Sequence, residues 1–493
     1  MYLLGLDIGS SSIKAALVDA DSAQPLAVVQ QPKREMGMIA HQPGWAEQEP
    51  ETWWQHVCAA IQELLSNAAI DPAQIKGIGI AYQMHGLVLV DKDQNVLRPS
   101  IIWCDSRAVE IGNESFDRIG QKTCLAHLLN SPGNFTASKL AWVKQYEPEL
   151  FAKIDKLLLP GDYIAMRLTG EAVSTITGLS EGILWDFKEK DIARLILQDY
   201  GLDESIMPSI APVFSNQGEL TKAAAEITGL QAGTPVTYRA GDQPNNALAL
   251  NVLDPGEVAA TAGTSGVVYG VVDQAVYDAE SRVNGFAHVN YSKERERIGI
   301  LLCINGAGIQ HSWMNQKVAE SGTTYPAMEE LARQIPIGAD GVCVLPFGNG
   351  AERMLGNQSP GAQILNVHFN RHSRPHLFRA ALEGVAFSFV YGMEVLQEMG
   401  VQTRHMRVGN DNMFQSNIFS STISTLVGAQ IEVVETTGAV GAAIGAGFGA
   451  GVYTDLKVPL GKTEVCKVYT PQPEEAEYRA AYERWKDNLK KFI

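Results

Sequence analysis

The sequence predicts an α/β protein built from two similar domains, and three observations carry that prediction. The chain opens with an apolar run at 2–6, a small polar turn, Asp7-Ile8-Gly9-Ser10-Ser11-Ser12, and a second apolar run at 13–18, which reads as strand, tight turn, strand. The pattern returns about half a chain later, where 257–273 holds Thr261-Ala262-Gly263-Thr264-Ser265-Gly266 between two β-rich runs. Around both units, strand patterns alternate with amphipathic helices, as an α/β domain with a mixed sheet requires. A repeat at this scale implies a duplicated domain, whereas a solenoid would recur every 20–50 residues or so. The expected boundary lies near 250, giving a first domain over 1–250 and a second over 251–493, with a cleft between them.

The elements follow in order. Pro50 suits a first helical turn, and Trp53, Trp54, Val57, Ile61, Leu64 and Leu65 recur at helical spacing, which predicts a helix over about 50–67. Residues 75–82 alternate as a strand, and 86–90, a turn at 91–94, and 96–103 read as a hairpin. In the second half, 377–398 has helical periodicity, 404–408 reads as a short strand, 409–412 as a loop and 413–426 as a helix. Near the end, Tyr478, Tyr482, Trp485, Leu489 and Phe492 fall on one face of a packed surface helix.

Composition narrows the chemistry. The 493 residues are 45% apolar, 8% aromatic and 19% charged, enough to bury a sizeable core without metal or disulfide. Lys and Arg total 39 against 55 Asp and Glu, a net charge of −16 that disfavours a nucleic-acid partner. Six isolated cysteines without a CxxC pair suggest neither a zinc site nor a disulfide framework, and a reducing cytoplasm is the expected location. The N-terminal segment does not read as a signal peptide, and the longest Gly/Ala-rich apolar stretch, 438–452, is shorter than the roughly 20 residues that span a bilayer.

Two Gly/Ser/Thr turns, each between strands, are what a two-lobed grip on nucleotide phosphates needs. They offer backbone N–H and hydroxyl donors, and Gly lets the backbone approach a polyphosphate closely. Rival signatures fail. Gly461-Lys462-Thr463 ends like a P-loop, but Leu456 stands where that motif needs Gly. Gly445-Ala446-Gly447-Phe448-Gly449 approximates a dinucleotide fingerprint without a β-branched strand before it, and fits a tightly packed helix better. His368, His372 and His376 are four apart, but Pro375 interrupts the segment, which argues against a metal site. Asp242 follows Gly241 at a predicted strand end and precedes a helical run, a place for either a helix cap or a catalytic base. Gln83, Met84, His85 and Gly86 follow the 75–82 strand, where α/β sheets place ligand-binding residues.

Together these residues resemble a family. The segments Leu6-Asp7-Ile8-Gly9-Ser10-Ser11-Ser12, Trp45-Ala46-Glu47-Gln48-Glu49-Pro50-Glu51, Gln83-Met84-His85-Gly86, Ile102-Trp103-Cys104-Asp105-Ser106-Arg107, Phe135-Thr136-Ala137-Ser138-Lys139-Leu140-Ala141-Trp142, Leu159-Pro160-Gly161-Asp162-Tyr163, Ala240-Gly241-Asp242, Ala262-Gly263-Thr264-Ser265-Gly266 and Ala380-Ala381-Leu382-Glu383-Gly384 resemble the FGGY carbohydrate kinases in order and spacing. The resemblance spans nearly the whole chain and implies two actin-like, ribonuclease-H-like domains with ATP and sugar bound in the cleft. Within the family, the Gln83–Gly86 segment is similar to that of the D-xylulose-phosphorylating members.

What the resemblance implies for single residues follows. Asp242 matches the catalytic base, and Asp7 a motif aspartate near Mg²⁺ and the phosphates. Gln83, Met84, His85, Trp103 and Gln243 match sugar-side positions. Ser10, Ser11, Ser12 and Lys14 belong to the first phosphate unit, and Gly263, Thr264 and Ser265 to the second; Gly409 and Asn410 open the loop expected to contact adenosine. Phosphoryl transfer asks the protein mainly to position reactants and neutralise charge, so Asp242 is not expected to need a strongly raised pKa. Departures from the family pattern include Gln243 for Asn, Asn134 for Gly, Thr175 for Asp and the pair Asn410-Asp411 in a normally Gly-rich loop. The expected activity is phosphorylation of D-xylulose by Mg-ATP, with D-ribulose, L-xylulose, gluconate or glycerol as alternative acceptors and a sugar-independent actin-like ATPase as the rival of another class. The resemblance allows a homodimer.

Overall fold

The computed structural model describes residues 1–410 and 412–493. Two mixed sheets with the same internal order dominate it. The first contains β1 (Tyr2–Ile8), β2 (Ile13–Asp19), β3 (Pro25–Gln31), β4 (Ile75–Tyr82) and β5 (Val236–Gly241), arranged β5-β4-β1-β2-β3. The second contains β6 (Glu257–Ala262), β7 (Gly266–Val272), β8 (Asn284–Ala287), β9 (Ile298–Ile304), β10 (His405–Gly409), β11 (Gln430–Val434) and β12 (Val465–Tyr469), arranged β8-β9-β7-β6-β10-β11-β12.

In each sheet an antiparallel three-stranded meander leads into two parallel strands. β1–β2–β3 and β1–β4–β5 form one set. β6–β7–β9 and β6–β10–β11 repeat it. This is the duplicated, actin-like α/β fold, and the strand patterns at 2–18 and 257–273 are its two copies of the opening hairpin. The central strands are buried on both faces, which explains why they read as continuous apolar runs.

Helices cover the sheets. Those that matter for the site are α1 (Pro50–Ala68), α2 (Thr136–Tyr146), α3 (Pro160–Thr169), α4 (Ile176–Glu181), α5 (Asp242–Ala249), α6 (Gly308–Trp313), α7 (Arg374–Glu398), α8 (Asn417–Val427), α9 (Gly438–Gly449) and α10 (Glu475–Leu489). The apolar face read for 50–67 is that of α1, with Trp53, Val57, Ile61 and Leu64 wholly buried. In α10, Tyr482 and Trp485 are buried and the Trp485 indole donates to the Val344 carbonyl at 2.9 Å.

The Gly/Ala stretch belongs to α9, which lies on the first sheet although it comes from the second half of the chain. No side-chain layer separates them: a Cβ on Gly79 would lie 2.0 Å from the Ala442 carbonyl oxygen, and one on Gly449 2.0 Å from that of Thr237. The glycine spacing at 445–449 is therefore a packing stripe.

The hairpin expected over 86–103 forms as isolated antiparallel bridges, Val90 with Val96 at the turn and Leu87 with Ile101 at the far end, without a continuous ladder between them. Beyond the turn, residues 88–90 pair with 156–158 and residues 100–101 with 47–48. Local patterning could not anticipate those distant partners, because apolar strands take whichever edge the tertiary fold presents.

The two halves meet along β8. Asn130 Oδ1 accepts from Asn284 Nδ2 at 2.7 Å and from the Gly285 N–H at 3.1 Å, and Ser180 Oγ accepts the Ala287 N–H at 3.0 Å. Phe286, wholly buried, meets the His85 ring with centroids 5.5 Å apart. Among the described residues, no helix is long and apolar enough to cross a membrane, and all six cysteines are free.

Candidate active site

The parallel strands β1, β4 and β5 end together. Ile8 lies opposite Tyr82, and Tyr82 opposite Gly241, so the segments that follow, 9–12, 83–86 and 242–243, emerge side by side at the carboxyl edge of the sheet. Open α/β sheets bind ligands at this edge. The sheet order therefore gathers residues that the sequence spreads over more than two hundred positions.

In the first turn, the Gly9 N–H donates to the Ser12 carbonyl at 3.1 Å, leaving Ser11 exposed and Ser10 and Ser12 half-buried. Asp7 stands across the β1–β2 ladder from Lys14. Burial pushes the Asp7 carboxyl above its ordinary range, and the Lys14 ammonium opposes that shift. The N-terminus of α9 abuts Asp7: a Cβ on Gly438 would lie 2.6 Å from Asp7 Oδ2.

After β4, Gln83 turns inward. It is buried, and its Nε2 lies 3.4 Å from Gln48 Oε1, while Gln48 Nε2 donates to the Ser10 carbonyl at 2.7 Å. Gln83 thus backs the first turn. Trp103, half exposed, donates from its indole to Ser10 Oγ at 3.3 Å and forms part of the rim there. Met84 is buried against Gly241, where a Cβ would come within 2.5 Å of Met84 Cγ. His85 adopts φ 63°, a left-handed conformation that a non-glycine residue holds only when its surroundings enforce it.

Asp242 is the first residue of α5, directly after the Gly241 cap. Its carboxyl is pushed up to about 8, chiefly by burial, then by the carboxylates of Asp7 and Glu181, while hydrogen bonds from Gln243 pull it down. Phosphoryl transfer does not require so raised a pKa at Asp242; it arises here from desolvation and because three acidic groups share one crevice. From the second half, Cys303 near the end of β9 reaches the Asp242 crevice with its side chain exposed.

Two residues at this site carried no role in the sequence reading. Glu181 ends α4 and is buried; its Oε2 accepts the His85 N–H at 2.7 Å. Lys139, on α2, donates from Nζ to the His85 carbonyl at 2.8 Å and to that of Ile102 at 3.0 Å, and burial lowers its ammonium to about 7. The available signal was a lone charged residue inside an apolar stretch, Glu181 within 176–185 and Lys139 within 135–143. Thr175 accepts the Gly178 N–H at 3.1 Å and caps α4.

The second turn lies between β6 and β7. The Gly308 N–H donates to the Gly263 carbonyl at 3.0 Å and the Ile309 N–H to that of Thr264 at 2.9 Å, which ties the turn to the start of α6. Thr264 and Ser265 are exposed. A cavity of about 710 Å³ opens beside them, lined by Gly263, Thr264, His311, Tyr325, Gln415 and Ser416 among others. That volume suits a nucleoside-sized ligand. The lining segment here is 413–417. Gly409 ends β10; Asn410 donates from its N–H to the Val434 carbonyl and from Nδ2 to Glu435 Oε2 at 2.8 Å, and its carbonyl accepts from Nε2 of the lining residue Gln415 at 3.0 Å. The neighbouring Asp411 lies outside the described residues.

Comparison with known proteins identifies the family of the chain. Residues 2–249 match the model of the FGGY family of carbohydrate kinases, N-terminal domain, and residues 258–450 match that family's C-terminal domain. The chain is 31% identical to a xylulose kinase of Escherichia coli (strain K12), over 90% of this chain and 88% of that one. It is 30% identical to an L-xylulose/3-keto-L-gulonate kinase of the same organism, over 92% and 89%. The crystal structure of a xylulose kinase from Rhodospirillum rubrum superposes with a TM-score of 0.90 at 27% identity, covering 100% of this chain and 99% of that one.

Proposed function

The chain belongs to the FGGY family of carbohydrate kinases and is an ATP-dependent sugar phosphotransferase; we propose that its acceptor is D-xylulose, phosphorylated on the C5 hydroxyl. The observation that carries the chemistry is the meeting of Asp242 and Asp7 at the carboxyl edge of the first sheet, with the Asp242 carboxyl held near 8. A half-buried carboxylate with that proton affinity is matched to accept a hydroxyl proton near neutral pH. The similarity to the E. coli xylulose kinase and the Met84-His85 pair support D-xylulose as the acceptor.

In this reading the sugar lies over Met84 and His85 with its terminal hydroxyl at Asp242. As the hydroxyl oxygen bonds to the γ-phosphorus of ATP, its proton passes to Asp242 and the bond to the β-phosphate oxygen breaks, releasing ADP and the 5-phosphate. The first turn and the Gly263-Thr264-Ser265 turn would cradle phosphates with backbone and hydroxyl donors. The cavity beside Tyr325 and Ser416 would take the adenosine.

Mg²⁺ would arrive with the nucleotide. Among the described residues no three His, Cys, Asp or Glu side chains form a metal cage, whereas the Asp7–Asp242 pair offers the oxygen donors that a phosphate-borne Mg²⁺ takes. Bound there, the ion would supply charge neutralisation on the phosphates. Lobe closure would exclude water as a competing acceptor.

The test is ADP release with D-xylulose beside D-ribulose, L-xylulose, gluconate and glycerol, with the product identified. The proposal expects the highest kcat/KM with D-xylulose and a 5-phosphate product; a higher value for any other sugar overturns it.

A further inference from the structure

Glu181 encloses His85 from two sides. Its Oε2 accepts the His85 N–H at 2.7 Å and lies 3.1 Å from His85 Nδ1, and its own backbone carbonyl lies 2.9 Å from the same nitrogen. The carbonyl can only accept, and Oε2 is already accepting from the backbone N–H. Nδ1 must therefore carry a proton. In the neutral imidazole the second nitrogen, Nε2, is then a bare acceptor. Phe135 packs edge-on to the ring at 4.7 Å and Phe286 tilts against it at 5.5 Å; the two phenyl rings, themselves 6.1 Å apart, wall one flank of the imidazole.

The rest of the surroundings share this polarity. Asp7 and Asp242 face the same crevice as Glu181, and Lys139, whose ammonium interacts with Glu181, has its Nζ committed to two backbone carbonyls. A substituent entering beside His85 thus meets acceptors and carboxylates. A hydroxyl satisfies that environment by donating; a carboxylate has no proton to give and is repelled.

We infer that the Glu181 carboxylate is a positioning group: by holding the His85 backbone it seats the ring on the Glu181 carbonyl in its Nδ1-protonated tautomer, so that Nε2 accepts a hydrogen bond from an acceptor hydroxyl and the site selects an uncharged polyhydroxylated sugar over a sugar acid. This deepens the functional proposal and rests on its reading of His85 as a sugar contact. A merely structural Glu181 would cap the 83–86 turn without governing the tautomer or the choice of sugar.

Two measurements test it. Long-range ¹H–¹⁵N spectra of the histidine rings, with the His85 signal assigned by its loss in His85→Gln, report the tautomer independently of any substrate. The Nδ1–H form is expected in the native protein, and an Nε2–H form overturns the inference. Kinetically, Glu181→Leu is expected to raise the KM for D-xylulose about tenfold while the KM for ATP moves less than about twofold, as the loss of one oriented hydrogen bond implies. Glu181→Gln, whose amide oxygen still accepts, is expected to restore the D-xylulose KM and to narrow the preference for D-xylulose over gluconate by removing a charge. Equal losses in Glu181→Leu and Glu181→Gln, or an unchanged preference in Glu181→Gln, overturn it. Should Glu181→Leu fail to fold, the spectra and Glu181→Gln still decide. If the native enzyme does not use D-xylulose, the functional proposal fails while the tautomer result stands on its own.

Discussion

Gly5 and Ala439 are in direct backbone contact: a Cβ on Gly5 would fall 1.8 Å from the Ala439 carbonyl oxygen. One residue lies on the first strand and the other on a helix more than four hundred positions later, so this contact holds the two halves of the chain together over the site.

Gly5→Ala should therefore be costly. Overpacking against backbone, which cannot rotate away, costs about 3 kcal/mol or more. Thermal unfolding is expected to shift down by several degrees, with some residual activity at low temperature. An unchanged Tm would contradict the seating of α9 on the sheet.

Asp242→Asn should lower the rate of sugar phosphorylation by more than about 10²-fold while nucleotide binding persists. The native enzyme should show a matching pH dependence. The base works ionised, so with a carboxyl near 8 the free enzyme's kcat/KM is expected to rise with pH and level off above about 8. A profile flat from pH 6 to 9 would remove Asp242 from the proton transfer.

Lys139→Met leaves the carbonyls of His85 and Ile102 without their donor, at a cost of about 3 kcal/mol. The native ammonium is lowered from 10.5 to about 7, so the unfolded chain binds the proton more tightly. Stability from this group is present above about 10 and lost as pH falls through about 7. The stability gap between native and variant proteins should widen with rising pH, which chemical denaturation at pH 6.5 and 9 would reveal.

Gly308→Ala places a Cβ 2.0 Å from the Gly263 carbonyl and must displace the second turn. If that turn holds phosphate, the KM for ATP should rise at least about tenfold and the sugar KM much less. Similar rises in both would argue against that division of labour.

Removal of divalent cations with EDTA should abolish turnover, and added Mg²⁺ should restore it. Activity surviving exhaustive chelation would mean that no metal accompanies the nucleotide.

The sequence by itself determined the two strand–turn–strand units, their duplication and the placing of Asp242 after a strand, because each is written in local periodicity and turn chemistry. The packing role of the 445–449 glycines was legible for the same reason. Only the tertiary structure decided that residues 88–90 and 100–101 also pair with distant segments, that residues 413–417 line the nucleotide-sized cavity, and that Glu181 and Lys139 converge on His85. It also decided the acidity of Asp242, which depends on burial and on carboxylates brought close through space. Field strength and desolvation fall off with distance in three dimensions, and separation along the chain carries no measure of either.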